Sequence, residues 1–224
     1  MNRAATEPPS FVSRQVTAAR RFYLNLAPPS GHALTVACGG WERCAEDFRI
    51  ERADFPFLCV EFVAGGMGKL LLGGIERPLR RGAVFSYGPG CPHRIIGDPE
   101  DPLRKYFLDF TGHDGLRLLR AAGLSPGSSR LVGNPGEVEA AFEQILDSGH
   151  REGSQAGRIA ALQAEILLLT LADSAGEQAG SEQSRQTYGK CRTFIEEHYL
   201  EYTTAAEVAA ACHVSPAYLS RLFA

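Results

Sequence analysis

One stretch of the sequence decides the fold: Val63-AGGMGKLLLGGIERPLRRGAVFSYGPGCPHR-Ile95. Short runs of leucine, β-branched and aromatic residues alternate in it with the glycine-containing pairs and triplets Gly65-Gly66, Gly73-Gly74 and Gly88-Pro89-Gly90. Glycine and proline supply the backbone geometry of tight turns, so the pattern predicts short strands joined by hairpins. It favours a β sandwich or barrel over a parallel α/β sheet.

The same pattern extends on both sides of this stretch, from residue 22 to residue 110. The segments that predict strands are Phe22–Leu26, Leu34–Cys38, Phe57–Val63, Lys69–Leu72, Ile75–Leu79, Ala83–Tyr87 and Arg104–Phe110. After residue 110 the apolar residues recur with helical spacing, at Gly115–Ala122, Pro135–Ser148 and Arg158–Asp173. The chain is therefore predicted to be α+β, with its β-rich part first.

The C-terminal segment from Thr204 predicts two short helices joined by a tight turn. Thr204 and Glu207 fit a capping box, and Ser215 followed by Pro216 fits the start of a second helix. His213 lies at the turn, where a residue that tolerates left-handed backbone geometry is needed. This arrangement is typical of a helix-turn-helix, whose second helix enters the DNA major groove. The predicted DNA-contacting residues are Ser215, Ala217, Tyr218, Ser220 and Arg221.

Two of these stretches resemble one family. The segment SPAYLSRLF, from Ser215 to Phe223, resembles the first helix-turn-helix of AraC-type (AraC/XylS) bacterial transcription regulators. Val63–Ile95, with its G-x-G hairpin and P-G-x-P-H loop, resembles the core of the cupin-type jelly-roll that senses effectors in that family. The resemblance implies a homodimer that binds a small effector and, in a full-length parent, DNA. Family members carry two helix-turn-helix units, so a chain ending at Ala224 is expected to hold only the first.

These observations predict five segments. Residues 1–21 form an N-terminal arm, 22–112 a cupin-like effector-binding domain, 113–173 a helical dimerisation region, 174–186 a flexible linker, and 187–224 a partial DNA-binding domain. In Arg158–Asp173 one apolar stripe contains Ile159, Leu162, Ile166 and Leu169, and a second contains Leu167, Leu168 and Leu171. Such a helix is either buried on both sides in the core or paired with a second copy, as the resemblance implies.

The composition is that of an ordinary globular protein, with 44% hydrophobic and 22% charged residues. A net charge of −3 gives no basic footprint for nucleic acid. Since the sequence has no leader and no twenty-residue apolar run, a cytoplasmic protein without a membrane partner is predicted. Its six cysteines are then expected to be free thiols.

The interior of the jelly-roll is the predicted effector site. Trp41 is the sole tryptophan and stands beside Glu42 and Arg43, a combination that suits a sugar or another polar metabolite. The full set of candidate effector-binding residues is Trp41, Glu42, Arg43, Glu61, Tyr87, His93 and Tyr106.

No catalytic residue, metal ligand or cofactor is predicted, because His93 lacks the H-x-H partner of a metal-dependent cupin: position 95 is Ile95. One alternative is a zinc site or thiol sensor in which Cys38, Cys44, Cys91 and His93 converge. For the whole chain, the alternative is an effector-binding and dimerisation module without DNA binding of its own. An enzyme ranks third.

Overall fold

The computed structural model describes residues 9–28, 33–199, 201–202 and 204–223, with the side chains of residues 176–186 excepted. The described residues form ten β-strands and five α-helices. The strands are β1 Val16–Tyr23, β2 Thr35–Cys44, β3 Arg49–Arg52, β4 Leu58–Gly65, β5 Gly68–Leu72, β6 Ile75–Leu79, β7 Ala83–Tyr87, β8 His93–Gly97, β9 Arg104–Thr111 and β10 Ser128–Leu131. The helices are α1 His113–Ala121, α2 Pro135–Gly149, α3 Ala156–His198, α4 Ala205–Ala211 and α5 Pro216–Leu222.

The strands form two antiparallel sheets in a cupin-like arrangement. One sheet has the strand order β1-β2-β9-β4-β7-β10, and the other has the order β3-β8-β5-β6. The hairpin between β5 and β6 is closed by Gly73 and Gly74, whose φ angles of 58° and 78° are accessible to glycine at no steric cost. The turn chemistry of the sequence thus predicted this hairpin correctly.

The six-stranded sheet buries both of its faces. Along β9, Leu108 and Phe110 belong to a core that includes helical residues, whereas Phe107 belongs to a second core shared with the four-stranded sheet. Successive side chains of a strand point to opposite faces, which explains this division. The second core lies inside the barrel, and β9 also contributes the buried Lys105 and Asp109 to that inward face.

Helix α2 packs on the outer face of the six-stranded sheet, and the first part of α3, up to Ala172, shares the same core. The α2 residues Val138, Phe142, Ile145 and Leu146 are buried there, as their spacing predicts. On α3 the stripe of Leu167, Leu168 and Leu171 is fully buried. The other stripe is not, because Leu162, Ile166 and Leu169 each remain about half exposed.

The structure corrects several predicted boundaries. β1 begins at Val16, so the last six residues of the predicted arm belong to the sheet. The sequence of β1, VTAARRFY, shows little apolar alternation, and its strand conformation depends on pairing with the distant β2. β3, β8 and β10 were also absent from the predicted strands; β3 and β10 are four residues long and consist mostly of charged or serine residues, which carry no strand signal.

The predicted linker, residues 174–186, is helical and lies within α3. The prediction of a flexible linker therefore assigned the wrong secondary structure to residues 174–186. Eight of its thirteen residues are Ala, Glu, Gln or Arg, which favour helix more than the glycines and serines oppose it. The described chain does divide into two compact units, and the division falls in this segment, between Ala175 and Gly176.

The second unit has the local features predicted for its helices. The Thr204 hydroxyl and the Glu207 carboxylate form a reciprocal capping box on α4, and the Ser215 hydroxyl caps α5. His213 has a φ of 56°, the left-handed geometry expected at this turn. Cys191, Ala209 and Leu219 form the small buried core of the unit. Among the helices described, none is both long and apolar enough to cross a membrane.

Candidate ligand site in the barrel interior

A cluster of four charged side chains is buried inside the barrel. Lys105 Nζ lies 2.9 Å from Glu42 Oε2 and 2.9 Å from Glu61 Oε2, and the three side chains are only 2–3% exposed. Arg21 Nη2 lies 2.6 Å from the other oxygen of Glu42. Glu42 and Lys105 are direct partners across β2 and β9, so the sheet register itself creates the pair.

Glu42 and Lys105 are held in their charged forms in this cluster. Burial raises the pKa of Glu42, but attraction by Lys105 and Arg21 outweighs it, so the pKa lies below its ordinary value. Burial lowers the pKa of Lys105, but attraction by the two glutamates has the larger effect, so the pKa lies above its ordinary value. Two cations and two anions therefore balance one another away from water. Buried charge of this kind is costly without full pairing, and the contacts among Arg21, Glu42, Lys105 and Glu61 supply that pairing.

A second row of polar groups runs across the same face of the sheet. In register order it contains Tyr23, Cys38, Asp109, Cys59 and Tyr87. The Cys38 thiol donates to Asp109 Oδ2 at 3.1 Å, and the Tyr87 hydroxyl donates to Glu61 Oε1 at 2.5 Å. Asp109 Oδ1 is buried and has no hydrogen-bond partner among the described residues. This row thus leaves one free acceptor inside the barrel.

Burial raises the pKa of Asp109 to about 7, against smaller opposing effects of hydrogen bonds from Cys59 and Cys38. The repulsion of Glu61 adds to the rise, and Arg52 opposes it. Asp109 therefore changes its charge near neutral pH.

His93 lies next to this row. Its ring stacks on that of Tyr87 with 3.8 Å between centroids, and its Nδ1 lies 3.1 Å from the carbonyl oxygen of Cys91. Since a carbonyl only accepts, Nδ1 carries the hydrogen. Burial lowers the pKa of His93, so the ring is neutral at pH 7. Its Nε2 lies 3.5 Å from Arg52 Nη1.

These groups surround a small cavity of about 20 Å³, which holds roughly one water molecule. Its walls include Glu42, Glu61, Tyr87, Lys105, Asp109 and Arg52. Phe11, Val12 and Ser13 complete the lining. We call Phe11–Ser13 the closing segment, because Arg52 donates to the carbonyl oxygen of Phe11, and Arg21 Nη2 donates to that of Ser13 at 2.7 Å.

The structure brings together four of the seven predicted effector residues. Glu42, Glu61 and Tyr87 line the cavity, and the buried His93 stacks on Tyr87. Trp41, Arg43 and Tyr106 do not share it. Trp41 and Tyr106 pair across β2 and β9 on the opposite face of the sheet, and Arg43 is exposed. Because side chains alternate along a strand, Trp41 and Arg43 cannot face inward together with Glu42.

Trp41 and Tyr106 take part in a contact with the helical layer instead. Tyr106 donates from its hydroxyl to Glu143 on α2, and Arg20 forms a bidentate ion pair with the same carboxylate. The Arg20 guanidinium lies 5.6 Å from the Trp41 ring centroid. This polar group fastens α2 to the outside of the sheet.

Three charged lining residues were absent from the prediction, Arg52, Lys105 and Asp109, and so was Arg21, which pairs with Glu42. The signal for two of them was present in the sequence. Lys105 and Asp109 lie in a strand whose alternate members Tyr106, Leu108 and Phe110 are apolar or aromatic. Lys105 and Asp109 therefore share the face of Phe107, opposite Tyr106, Leu108 and Phe110, so alternation alone assigns both charged side chains to one face of the strand.

The cysteines do not gather around His93. Cys38 contacts Asp109, and Cys44 is buried with its pKa raised by burial to about 12. Cys91 is half-buried and accepts from His93 through its backbone carbonyl rather than its thiol. In the part of the chain that the structure describes, no group of three or more His, Cys, Asp or Glu residues is placed to hold a metal ion.

The second unit presents the predicted DNA-contacting residues on α5 and its cap. Ala217, Ser220 and Arg221 are exposed, and Tyr218 is half-buried. The Arg221 guanidinium lies 5.6 Å from the Tyr218 ring centroid. Ser215 is exposed, and its hydroxyl accepts from the backbone N–H of Tyr218.

The two-sheet barrel with a polar interior and a helical outer layer defines a cupin-like ligand-binding domain. Residues 40–172, more than half of the chain, match the model of the AraC-like ligand binding domain. The chain belongs to this family. A comparison with curated proteins gives no match.

Solved structures with a similar fold share little sequence with this chain. The AraC-like transcriptional activator CuxR is 11% identical, and the match covers 92% of this chain and 79% of that protein with a TM-score of 0.45. A Cupin 2 conserved barrel domain protein from Salinispora arenicola is 20% identical over 48% of this chain and 89% of its own, with a TM-score of 0.31. Salicylate 1,2-dioxygenase from Pseudoaminobacter salicylatoxidans is 18% identical, and the match covers 56% of this chain and 31% of the dioxygenase with a TM-score of 0.33.

Proposed function

We propose that the chain is a ligand-responsive transcriptional regulator and not an enzyme. The observation that carries the proposal is the cavity lined by Glu42, Glu61, Lys105 and Asp109 inside a domain of the AraC-like ligand binding family. Ionised side chains are rarely buried unless they are paired or have a function. We infer that they recognise a small polar metabolite, such as a sugar, which enters the barrel when the closing segment leaves.

Pairing of two copies through α3 is the second part of the proposal. Ile159, Leu162, Ile166 and Leu169 follow one another at intervals of three, four and three residues, the spacing of a helix-pairing seam. The opposite stripe of the same helix is already buried in the core of its own domain. A second copy of α3 would remove the exposed stripe from water, and we therefore propose a homodimer.

The third part concerns DNA. An exposed arginine and a neighbouring tyrosine on the capped helix α5 suit contacts with a base edge and a phosphate. We propose Arg221 and Tyr218 for these contacts, with Ser215, Ala217 and Ser220 on the same surface. The competing proposal is a module that binds effector and dimerises without binding DNA.

The effector-binding part of the proposal is tested by calorimetric titration of the full chain with a panel of sugars and polar metabolites. Glu61→Gln removes one carboxylate from the cavity lining and keeps the shape of the side chain, and Glu76→Gln is the matched control, because Glu76 is exposed on β6 and its ion pair with Lys69 lies outside the barrel. We expect saturable binding that Glu61→Gln weakens at least tenfold and Glu76→Gln leaves unchanged. Binding that is indifferent to both substitutions would place the ligand elsewhere.

The DNA-binding part of the proposal is tested by selection from a random-sequence duplex library with a full-length parent of this chain. We expect an enriched motif whose recovery is lost in Arg221→Ala. Effector binding and dimerisation without any enriched motif would support the competing module.

A further inference from the structure

The closing segment lines the cavity with an aromatic ring and a carbonyl oxygen, both from Phe11. The Phe11 ring packs edge-on against Phe55 and Phe57, with 5.6 Å and 5.5 Å between ring centroids. The carbonyl oxygen of Phe11 accepts a hydrogen bond from Arg52. Phe11 thus places an aromatic ring against Phe55 and Phe57. The third carbon from that ring is the carbonyl carbon, and its oxygen accepts a hydrogen bond from the Arg52 guanidinium.

Arg52 is the cation of the site that has no carboxylate within ion-pair distance among the described residues. Arg21 and Lys105 are matched by Glu42 and Glu61, as described above. The guanidinium carbon of Arg52 lies 5.1 Å from the ring centroid of Phe55, and its Nη1 lies 3.5 Å from Nε2 of His93, which is neutral. The charge of Arg52 also acts on Asp109, at more than ion-pair distance. A peptide carbonyl carries only a partial charge, and a carboxylate in its place would form a stronger, charge-assisted hydrogen bond.

Space in the cavity leads to the same conclusion. The present volume of about 20 Å³ accepts roughly one water molecule, whereas sites for small organic ligands are typically on the order of 300 Å³ or more. A metabolite fits only if the closing segment leaves. The surface that this departure exposes includes the aromatic rings of Phe55 and Phe57 and the charge of Arg52, together with the Arg21 Nη2 that donates to Ser13.

We propose that the effector is an organic carboxylate with an aromatic or similarly apolar body, which displaces Phe11–Ser13, places its body against Phe55 and Phe57, and pairs its carboxylate with Arg52. The proposal rests on the proposed function, since it names the ligand class of the same site. It differs from the polar, sugar-like ligand that the sequence suggested. The charge-balanced cluster around Lys105 then acts as the polar wall of the site and not as its anion receptor.

The probe that follows from this geometry is 3-phenylpropionate, because it reproduces the atoms of Phe11 from the ring to the carbonyl carbon and adds the second, charged oxygen. Its neutral amide, 3-phenylpropionamide, has the same shape without the charge. Calorimetric titration of the full chain with both compounds is the first measurement. We expect the acid to bind at least tenfold more tightly than the amide.

Three variants identify the contact. Arg52→Gln is expected to abolish the preference for the acid. Arg49→Gln is the matched control, since Arg49 lies on the same strand but points outward to Glu51. Phe11→Ala removes the competing ring, and a competitor that occupies the site lowers the apparent affinity by the fraction of molecules it closes. We therefore expect Phe11→Ala to bind the acid several-fold more tightly than the unmodified chain.

Hydrogen exchange tests displacement directly. The backbone N–H of Val12 donates to the carbonyl of Pro9 at 2.9 Å in the closed segment. Saturating 3-phenylpropionate is expected to accelerate exchange in a peptide covering residues 9–15 in the unmodified chain.

The outcomes separate this proposal from the proposed function. Equal binding of acid and amide by the unmodified chain, an undiminished preference for the acid in Arg52→Gln, or slower exchange at residues 9–15 would overturn the carboxylate proposal. Binding of a neutral sugar that depends on Glu61 and not on Arg52 would also overturn it, while the regulator proposal stands. If neither the two probes nor the metabolite panel binds the unmodified chain or Phe11→Ala, both proposals fail.

Discussion

The Cys38 thiol donates to Asp109 Oδ2 at 3.1 Å across the β2–β9 pairing, and both groups are buried. Asp109 thereby keeps one oxygen satisfied and one free inside the barrel. A thiol is a weak donor, so its hydrogen bond does not offset the cost of burying the charge. The carboxyl group is half-protonated near neutral pH, with a pKa of about 7.

Asp109 makes the stability of the β domain depend on pH. Its pKa is raised in the folded state, so between about pH 4 and pH 7 the folded state binds more protons than the unfolded state. The free energy of unfolding therefore falls as pH rises through this window, by up to about 1.4 kcal/mol per pH unit, and levels off above pH 7. Asp109→Asn is expected to remove this part of the slope. Urea unfolding followed by the fluorescence of Trp41, the sole tryptophan, measures it.

The control is Asp101→Asn, which removes an exposed carboxylate 4.0 Å from Arg104. It is expected to keep the slope of the unmodified chain. If Asp109→Asn keeps it as well, Asp109 does not titrate in this window.

Lys105 neutralises two buried carboxylates, so its removal leaves uncompensated charge inside the barrel. Lys105→Met is expected to lower the free energy of unfolding by about 3–5 kcal/mol, the usual cost of breaking a buried ion pair from one side. Lys69→Met breaks the exposed pair with Glu76 and is expected to cost under about 1 kcal/mol. Adding Glu42→Gln and Glu61→Gln to Lys105→Met removes the stranded charges and should recover part of the loss. Urea titration of the four proteins tests the argument, and equal losses in the two lysine variants would contradict it.

The helix caps of the second unit give a smaller, local effect. The hydroxyl of Ser215 accepts from the backbone N–H of Tyr218 at 3.2 Å and satisfies one of the free donors at the start of α5. Ser215→Ala is expected to destabilise this unit by about 1 kcal/mol, while Ser215→Asn, which can also cap, should cost much less. Hydrogen exchange at residues 216–222 reports on α5 without interference from the β domain. Equal exchange rates in the two variants would show that the cap contributes nothing.

Local chemistry made part of this structure predictable. The Gly73-Gly74 hairpin, the capping box of Thr204 and Glu207, and the left-handed His213 each depend on a few neighbouring residues. β1 was missed because its exposed residues carry no apolar alternation, and only pairing with β2 holds them extended. Pairing partners far apart in sequence leave no local signal.

The residues of the site were predictable only where it was known which alternate side chains of a strand face inward. Glu42 was selected together with Trp41 and Arg43, although alternation permits only one side of that triplet to face inward. Once Glu42 is known to be buried, the register assigns Lys105 to the same face and Trp41 and Tyr106 to the other. Arg52 lies on β3, a four-residue strand of the other sheet, and no pattern along the chain connects it with Asp109.

The exposed stripe of α3 yields the last prediction. Leu162, Ile166 and Leu169 each expose about half of their surface, while the opposite stripe is buried within the same domain. If the exposed stripe pairs two copies, Ile166→Glu places a charge in the centre of the seam and is expected to weaken dimerisation at least a hundredfold. Ile75→Glu is the matched control, because Ile75 is exposed to a similar extent, 56%, on the β5–β6 hairpin outside the helical layer. Sedimentation equilibrium over a range of concentrations measures both variants, and thermal unfolding checks that each remains folded. A dimer that persists in Ile166→Glu would show that two copies associate through another surface, and a monomeric unmodified chain would remove α3 pairing from the proposed function.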